Sequence, residues 1–439
     1  MKYRIYLVSA CFACLFNFTA LAVPAKLALN DAVRQAIQND PWLNGNRLEQ
    51  HAMEARSHAV DTLPNPVMSL SVMNVPTDTF ALNQEAMTQL KVSVAQMFPR
   101  GDTVALQKQK WAINATRFPV LREDRKARIA LEVSNRWLDW YQAHTTHQLI
   151  AADTHLFEQL LDVARAGYAS AAGSTQQQDV IRAQLELLQL HDRLTAQMQA
   201  RETALAALSE WAEVDAGSQP VAGIKDTQLV AFNEAVASDT SALAARLARH
   251  PQVRVIDVSR HVAEQDVALA KEQRKPQWGV NASYAYRENS ALGNSRADFL
   301  SVGVSVDLPF FNAESLDSGV SAAIAQSQAV ETQKRVLLKN MIAQVRKEQQ
   351  TLNALYQRHA LYNDSLIAQT REQAETSLTA YTNDSGDFSE VVRARIAQLN
   401  ARIAALEIDV SIARAKAMLN YYFAGTEMAG STEKQNDNK

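Results

Sequence analysis

Two hydrophobic patterns succeed one another along the chain, and each occurs twice. Apolar and polar residues alternate strictly over 68–73 and 90–95, and the same alternation returns after Pro276. A period of two predicts strands with one apolar and one polar face. The predicted strands span about 67–74, 89–97, 277–287 and 298–308. Most are about nine or ten residues long, which is the length of a tilted strand crossing a bilayer; a soluble sandwich sheet would show the same alternation.

Aromatic residues lie close to the ends of these strands. Such a distribution is typical of the interfacial girdle of a membrane sheet. The residues concerned are Phe98, Trp278, Tyr286, Phe299, Phe310 and Phe311.

A very long helical pattern follows each pair of strands. It runs from Gly101 to about Gly167 and from Asn312 to about Tyr381. At 1.5 Å per residue, about 65 to 70 residues form a rod of roughly 100 Å, which is too long for a compact globule. Pro119 lies inside the first rod and predicts a kink or break there. Apolar residues at 3-4 spacing then predict a return helix after each rod.

The two segments that join rod and return helix have closely similar sequences. GYASAAG at 167–173 is followed by DVIRA at 179–183, and AYTNDSG at 380–386 is followed by EVVRA at 390–394. The offset is about 213 residues before the glycine and about 211 after it, so one two-residue gap aligns the two copies. The chain is therefore predicted to be a duplication, which suggests a structural unit completed by symmetry. The predicted units are a first repeat at 23–213, a linker or equatorial segment at 214–240, a second repeat at 241–429 and a polar tail at 430–439.

Residues 1–22 have the pattern of a secretory signal peptide. Lys2 and Arg4 precede an apolar run, and Ala20-Leu21-Ala22 forms a cleavage site, so the mature chain is predicted to begin at Val23. The residues before Cys11 resemble a lipoprotein cleavage box, which leaves lipidation of Cys11 as an alternative. Such a signal would be only about ten residues long, which is short for this class.

The composition of the mature chain excludes several functional classes. Removing Lys2 and Arg4 from the 44 basic residues leaves 42 against 47 acidic ones, a net charge near −5 that does not favour nucleic acid. Cys11 and Cys14 both lie in the signal, so the mature chain has no cysteine for disulfides or metal. No phosphate loop, nucleophile elbow or HExxH helix is present, and we expect neither an enzyme nor a cofactor. No apolar stretch is long enough for a transmembrane helix, so only a barrel could span a membrane.

Histidine and methionine supply the remaining candidates for metal chemistry. His144 and His147 share a helix face, and His51 and His58 lie seven residues apart, but two ligands do not make a metal site. Four methionines in the first hairpin region offer soft thioethers for Cu(I), although methionine is also an adaptable apolar filler. They are Met68, Met73, Met87 and Met97. We therefore assign no metal site.

The order of elements in each half is helix, strand, strand, very long helix, tip and return helix. This order, the duplicated tip and the signal peptide resemble the TolC family of outer-membrane efflux proteins. Leu63–Pro66, Gln96–Gly101 and Leu308–Asn312 look most like its CzcC/CusC-type heavy-metal efflux branch. The resemblance implies a mainly α fold with a membrane β-barrel portion. A long periplasmic α-helical barrel would carry four barrel strands per protomer, twelve per trimer.

The resemblance also implies roles for particular residues. The helical tips would dock an adaptor through Tyr168, Gly173, Tyr381 and Gly386. The periplasmic aperture would involve Asp179, Asp384, Asp387, Glu390 and Arg393, the arginine departing from the acidic pattern of some members. The barrel lumen would be lined by Ser69, Ser71, Lys91, Ser93, Asn281, Ser283, Ser301 and Ser305. Helix capping is the alternative for the tips, because glycine often ends helices and acids favour helix starts.

The function implied by the resemblance is passive export. The chain would be the outer-membrane duct of a tripartite, RND-type efflux system in a Gram-negative cell, with a periplasmic extension. Its partners would be two further copies of itself, a periplasmic membrane-fusion adaptor, an inner-membrane pump reached through that adaptor, and outer-membrane lipid. Heavy-metal cations are the expected substrate. The alternatives are a drug-efflux or type I secretion duct and, in a different class, a non-pore periplasmic coiled-coil adaptor or structural protein.

Overall fold

The computed structural model describes residues 26–169, 176–215, 217–220, 224, 239–383 and 385–425. The predicted signal peptide with Cys11, the candidates Gly173 and Asp384, most of segment 214–240 and the polar tail lie outside the described residues. The elements, in chain order, are β1 (Lys26–Leu27), α1 (Leu29–Asn39), α2 (Pro41–Ala59), β2 (Val67–Met73), β3 (Gln89–Phe98), α3 (Thr103–Ala115), α4 (Arg117–Ala169), α5 (Gln177–Leu208), β4 (Gln219–Pro220), α6 (Thr240–Leu247), α7 (Pro251–Glu272), β5 (Gln277–Tyr286), β6 (Phe299–Asp307), α8 (Ala313–Leu361), a π-helical turn (Tyr362–Leu366), α9 (Ile367–Thr382) and α10 (Phe388–Tyr422).

The alternating segments form one four-stranded antiparallel sheet. Its order is β2-β3-β5-β6, so each half of the chain contributes one hairpin and the hairpins join through β3 and β5. In the register of that central pair, Ser93 lies opposite Ser283 and Phe98 opposite Trp278. β2 and β6 are therefore the two edges of the sheet.

The first rod is broken where its proline predicts. α3 ends at Ala115 and α4 begins at Arg117, and the Thr116 N–H and hydroxyl both bond to the Ile113 carbonyl oxygen, at 3.0 and 2.7 Å. Pro119 is the third residue of α4, where a helix has no partner for a backbone N–H and proline costs little. The uninterrupted rod is thus α4, whose 53 residues span about 80 Å.

The second rod continues through an irregular turn. α8 passes into the π-helical turn Tyr362–Leu366 and then into α9 without leaving the right-handed helical conformation. None of residues 356–373, all of them described, is buried, whereas Leu355 and Ala374 on either side are. The sequence pattern did not predict this turn.

The helices form a layer that continues the order of the strands. Close to the sheet, α2, α3, α7 and α8 pack side by side in that order, each joined to the strand at the same position. Farther away the order is α5, α4, α10 and then α8 with α9. Within the described residues, the helical layer therefore also has two open sides.

Three hydrophobic clusters hold the helices together. The first centres on Trp137 and Trp140 and packs α1 on α4, with the Trp137 indole N–H donating to the Leu27 carbonyl at 3.1 Å. The second, which we call the tip cluster, joins both halves near the helix ends. It contains Ile150, Phe157, Leu160, Leu161, Ala164, Ala183, Leu190, Tyr381, Phe388, Val391, Val392, Leu399 and Ile403. The third packs α6 and α8 on α10 around Val345 and Ile408.

Two further observations complete the fold. β1 and β4 form a short parallel pair, Leu27 lying opposite Pro220, which ties the linker to the start of the described chain. Of the helices in the described ranges, none is both long and apolar enough to cross a membrane.

Candidate functional site: a two-faced sheet and a paired helical tip

One face of the four-stranded sheet is apolar and exposed. Because residues directly opposite in an antiparallel pair share a face, the register assigns every strand residue to one side. Large apolar side chains that are exposed to solvent occupy this face in all four strands. They are Met68, Leu70, Val72, Leu90, Val92, Val94, Trp278, Val280, Tyr284, Leu300, Val302, Val304 and Val306. A continuous apolar surface of this kind marks a partner or a membrane.

The opposite face carries all eight residues predicted to line a lumen. Ser69, Ser93, Ser283 and Ser301 lie opposite one another in sequence and form one row across the four strands. The hydroxyls of Ser69 and Ser93 are 2.7 Å apart, within hydrogen-bonding distance. Ser71, Lys91, Asn281 and Ser305 lie on the same face in neighbouring rows. The structure thus groups these side chains, and their role as a lumen remains a prediction.

One aromatic residue departs from the predicted girdle. Phe299 lies opposite Ala285 on the polar face, where the Arg287 guanidinium stacks 3.9 Å from the centre of its ring. A cation over an aromatic face is a favourable contact. Phe299 therefore packs on the polar side of the sheet, because its odd position in β6 puts it in phase with Ser301.

The two duplicated tyrosines have different surroundings. Tyr381 is 8% exposed and meets Phe388 edge-to-face at 5.4 Å in the tip cluster, whereas Tyr168 is 53% exposed. Gly386 packs under the tyrosine backbone, and a Cβ there would lie 2.8 Å from the Tyr381 nitrogen. Only the first tyrosine is thus available on the surface, which their shared sequence context did not indicate.

Two of the acids predicted for the aperture cap helices. The Asp179 carboxylate accepts from the Gln176 N–H at 2.8 Å in a capping box at the start of α5, and it is buried. The Asp387 carboxylate accepts from the Ser389 N–H at 2.8 Å at the start of α10, and this bond lowers the pKa of Asp387. These positions therefore have the capping role that was the alternative.

The other two described candidates form an exposed ion pair. Glu390 and Arg393 lie one turn apart on α10, and their charged groups contact each other. An exposed pair of this kind contributes little to stability. Among the described aperture candidates, Glu390 and Arg393 are thus the ones whose charged groups do not cap a helix.

The halves are also joined by ion pairs above the tips. The Arg402 guanidinium of α10 lies 3.0 Å from the Asp153 carboxylate of α4, and burial raises the pKa of Asp153 against the opposing effect of the arginine. Arg414 and Asp139 form a second contact between the same helices. The sequence did not predict these pairs, since their partners are more than two hundred residues apart.

The histidines and methionines considered for metal binding do not converge. Within the part of the chain that the structure describes, no group of three or more histidine, cysteine or acidic side chains is arranged to hold a metal ion. His144 Nε2 lies 3.0 Å from the Gln148 amide, and burial lowers the pKa of His144. Met68 lies on the apolar face, whereas Met73 and Met97 lie on the polar face near opposite ends of the sheet, beside Gln89 and Gly279 respectively.

With this geometry in place, the chain can be compared with known proteins. Residues 242–424 match the outer membrane efflux protein family. The fold is similar over most of the chain to that of the outer-membrane channel OprN, at 15% identity and a TM-score of 0.73, covering 90% of each chain. CusC has 13% identity and a TM-score of 0.74, with 90% of this chain and 92% of that chain covered. VceC from Vibrio cholerae has 14% identity and a TM-score of 0.70, covering 90% and 96%.

These similarities support the outer membrane efflux protein family and its TolC-like fold. No curated protein sequence matches the chain significantly. At 13–15% identity, these three structures show a shared fold.

The junction between sheet and helices contains residues that sequence reasoning missed. Arg100 contacts the Asp307 carboxylate and donates to the Lys275 carbonyl at 2.7 Å, so it joins the two hairpins at their helical end. Glu272 accepts from the Asp102 N–H at 2.9 Å and contacts Lys275 at 2.8 Å; the lysine chiefly lowers the pKa of Glu272. The Pro-Arg-Gly break in the sequence was the available signal.

A buried histidine holds the far end of α10. His250 is fully buried; its Nδ1 accepts from the Gln252 N–H at 3.2 Å, and its Nε2 donates to the Tyr421 carbonyl at 3.0 Å. Desolvation lowers the pKa of His250 and raises that of Tyr421 to about 12. His250 precedes Pro251 at the first position of α7, so a histidine before proline was the sequence signal for a helix start.

Proposed function

We propose that this chain is the outer-membrane duct of a tripartite efflux system. The observation that carries the proposal is the sheet, which has one exposed apolar face, one polar face and two unpaired edges, and stands on a helical layer with two open sides. At an unpaired sheet edge in lipid, each backbone N–H or C=O group without a partner costs several kcal/mol. Three copies joined edge to edge would close a twelve-stranded barrel and remove those edges.

In the proposed trimer the apolar face meets outer-membrane lipid and the serine face lines water. The helices extend into the periplasm, where the duct conducts passively and an inner-membrane RND-type pump supplies the energy. The proposed units are the signal peptide at 1–22, the two repeats at 23–213 and 241–429, the equatorial segment 214–240 and the tail 430–439. The exposed Tyr168 is the proposed contact for the periplasmic adaptor, together with Gly173, Tyr381 and Gly386 of the two tips.

The assignment of the two faces has a direct test with a matched control. Ser301 and Val302 are neighbours on opposite faces of β6. In the predicted cysteine-free mature chain, Ser301→Cys should react with a charged methanethiosulfonate and reduce single-channel conductance, whereas Val302→Cys should not. Equal reaction at both positions, or a protein found as a monomer in the soluble periplasmic fraction, would exclude the duct.

The aperture is proposed to depend on the exposed pair Glu390 and Arg393 and on Asp384, while Asp179 and Asp387 cap the helix starts. Arg393→Asp should change single-channel conductance and its block by divalent cations. Arg371→Asp, an exposed arginine on α9, is the matched control. Unchanged conductance in Arg393→Asp would remove this residue from the constriction.

Heavy-metal cations are the proposed cargo, on the resemblance of Leu63–Pro66, Gln96–Gly101 and Leu308–Asn312 to the CzcC/CusC-type branch. Drugs or a secreted polypeptide are the alternatives. A deletion strain should grow poorly on one or more of copper, silver, zinc, cobalt and cadmium, and the wild-type gene should restore growth. Equal growth of the two strains on all five metals would argue against metal export.

A further inference from the structure

Two consecutive phenylalanines protrude from the helical end of β6. Phe310 is 73% and Phe311 99% exposed, and both follow the edge strand in the short connection to α8. The Phe310 N–H bonds to the Leu308 carbonyl at 2.9 Å, a tight turn that fixes the connection. Two adjacent, highly exposed aromatic rings on an ordered turn indicate a contact with another protein molecule or with a membrane.

A cleft with a mixed apolar and polar lining lies at the other edge of the same sheet. It has a volume of about 400 Å³ and opens between the α2–β2 connection and the start of α3. Its lining combines the apolar Val60, Leu63, Pro64, Pro99 and Val104 with the polar Thr62, Asn65, Thr103 and Gln107. Protein contacts commonly combine apolar and polar side chains in this way.

The phenylalanine turn and the cleft lie at opposite edges of the sheet, so they can meet only when two copies of the chain are side by side. β6 and β2 are opposite edges of one sheet, and the connections 308–312 and 60–66 both lie at the helical end. When β6 of one copy pairs with β2 of the next, these connections become neighbours at the strand spacing of about 4.8 Å. The two helix ends also carry opposite charges, since α8 begins with Glu314 and α2 ends with Arg56.

We infer that Phe310 and Phe311 of one copy occupy the Leu63 cleft of the adjacent copy. This inference rests on the proposed trimer and gives it a specific anchor. The anchor would fix the register of the edge strands, because one residue of slip would displace the rings from the cleft.

The test uses cysteine pairs in the full-length protein, whose only cysteines, Cys11 and Cys14, lie in the predicted signal. Leu63→Cys combined with Phe311→Cys should give covalent dimers and trimers on mild oxidation or with a short bis-maleimide, and each single variant should stay uncrosslinked. Native mass spectrometry in detergent measures assembly independently of the crosslink. A trimer without a crosslink in the double variant would overturn the inference and leave the duct intact, whereas absence of a trimer would refute the proposed function itself.

A second variant keeps the inference testable if cysteines at these positions disturb folding. Phe311→Ser should lower the temperature at which the trimer dissociates on a gel. Leu292→Ser, which changes a residue that is 90% exposed in the loop at the other end of the hairpin, is the matched control and should not. Equal dissociation temperatures for both variants, or labelling of Phe311→Cys in the assembled trimer by a bilayer-partitioning maleimide, would show that lipid rather than the neighbouring copy covers the rings.

Discussion

The π-helical turn in the second rod accommodates one extra residue. Val345 and Leu352 are buried seven residues apart, the spacing of a coiled-coil seam. Continued at the 3.5 residues per turn of such a seam, that spacing reaches positions 373 and 380, but the buried residues are Ala374 and Tyr381, each one position later. A π turn is an insertion of one residue into an α-helix, so Tyr362–Leu366 restores the packing face of α9.

Deleting Asp364, an exposed residue of this turn, should therefore leave the fold intact. The deletion converts the turn to regular α-helix and moves Ala374 and Tyr381 into the register set by Val345 and Leu352. We expect stability equal to or above that of the parent, because the π geometry is rarer and less favourable than the α geometry that replaces it.

The matched control is deletion of Ala343, an exposed residue in the regular part of α8. Removing one residue there rotates the helix beyond it by about 100° relative to the part before it. Val345, Leu352 and Leu355, all buried, would then leave the core. Each buried aliphatic side chain contributes about 1.5–3 kcal/mol, so the loss is at most about 5–9 kcal/mol.

Circular dichroism at 222 nm during heating, together with the temperature at which the oligomer dissociates on a gel, would measure both variants. The Asp364 deletion should melt within a few degrees of the parent, and the Ala343 deletion should melt far earlier or fail to fold. Equal losses in the two variants would show that the turn is not an inserted residue and that the register argument is wrong.

Three other changes test separate features. Gly101→Ala should destabilise the sheet–helix junction by about 1–2 kcal/mol or more in thermal melts, because Gly101 has φ +43° and a Cβ would lie 1.9 Å from Glu272 Oε2; an unchanged melting temperature would contradict this. Gly386→Ala should speed amide exchange in the second tip, because its Cβ would press on the Tyr381 backbone; the same exchange rates as in the parent would show that the loop yields freely. Burial lowers the pKa of His250, so this residue stabilises the fold above the ordinary histidine pKa of about 6.5 and loses that contribution as the pH falls through the depressed value. His250→Asn, which can still cap α7, should reduce the fall in melting temperature between neutral and mildly acidic pH, and an identical pH profile would exclude His250 as its source.

Much of the fold follows from local pattern. Period-two alternation predicted the strands, because successive side chains of a strand point to opposite faces of the sheet. The two faces of this sheet differ in polarity, so apolar and polar residues alternate along each strand. Pro119 located the break between α3 and α4, since proline removes a backbone donor wherever it stands. These signals are local, and the single sequence contains them in full.

The remaining features depend on contacts between distant residues. Tyr168 and Tyr381 have similar local sequences, yet only Tyr381 has Phe388 to cover it, and the first repeat has Gln177 at the position that aligns with Phe388. The π turn was missed because a one-residue shift of the packing face is visible only once the buried positions are known. Arg100, Asp307 and Glu272 come from three connections, and their meeting depends on how the hairpins pair.

The four strands continue directly into four helices, although the sheet is narrower than the helical layer. Neighbouring strands lie about 4.8 Å apart and packed helices about 8–10 Å apart, so four strands span about 14 Å where four helices span about 24–30 Å. The strands therefore cannot all lie in line with the helices that continue them. Each connection has to span a lateral offset of several ångströms between the end of its strand and the start of its helix. A proline lies in every one of these connections (Pro64, Pro99, Pro276 and Pro309), where it ends one periodicity before the other begins. The four prolines thus lie at the steps where the chain widens from the sheet to the helical layer.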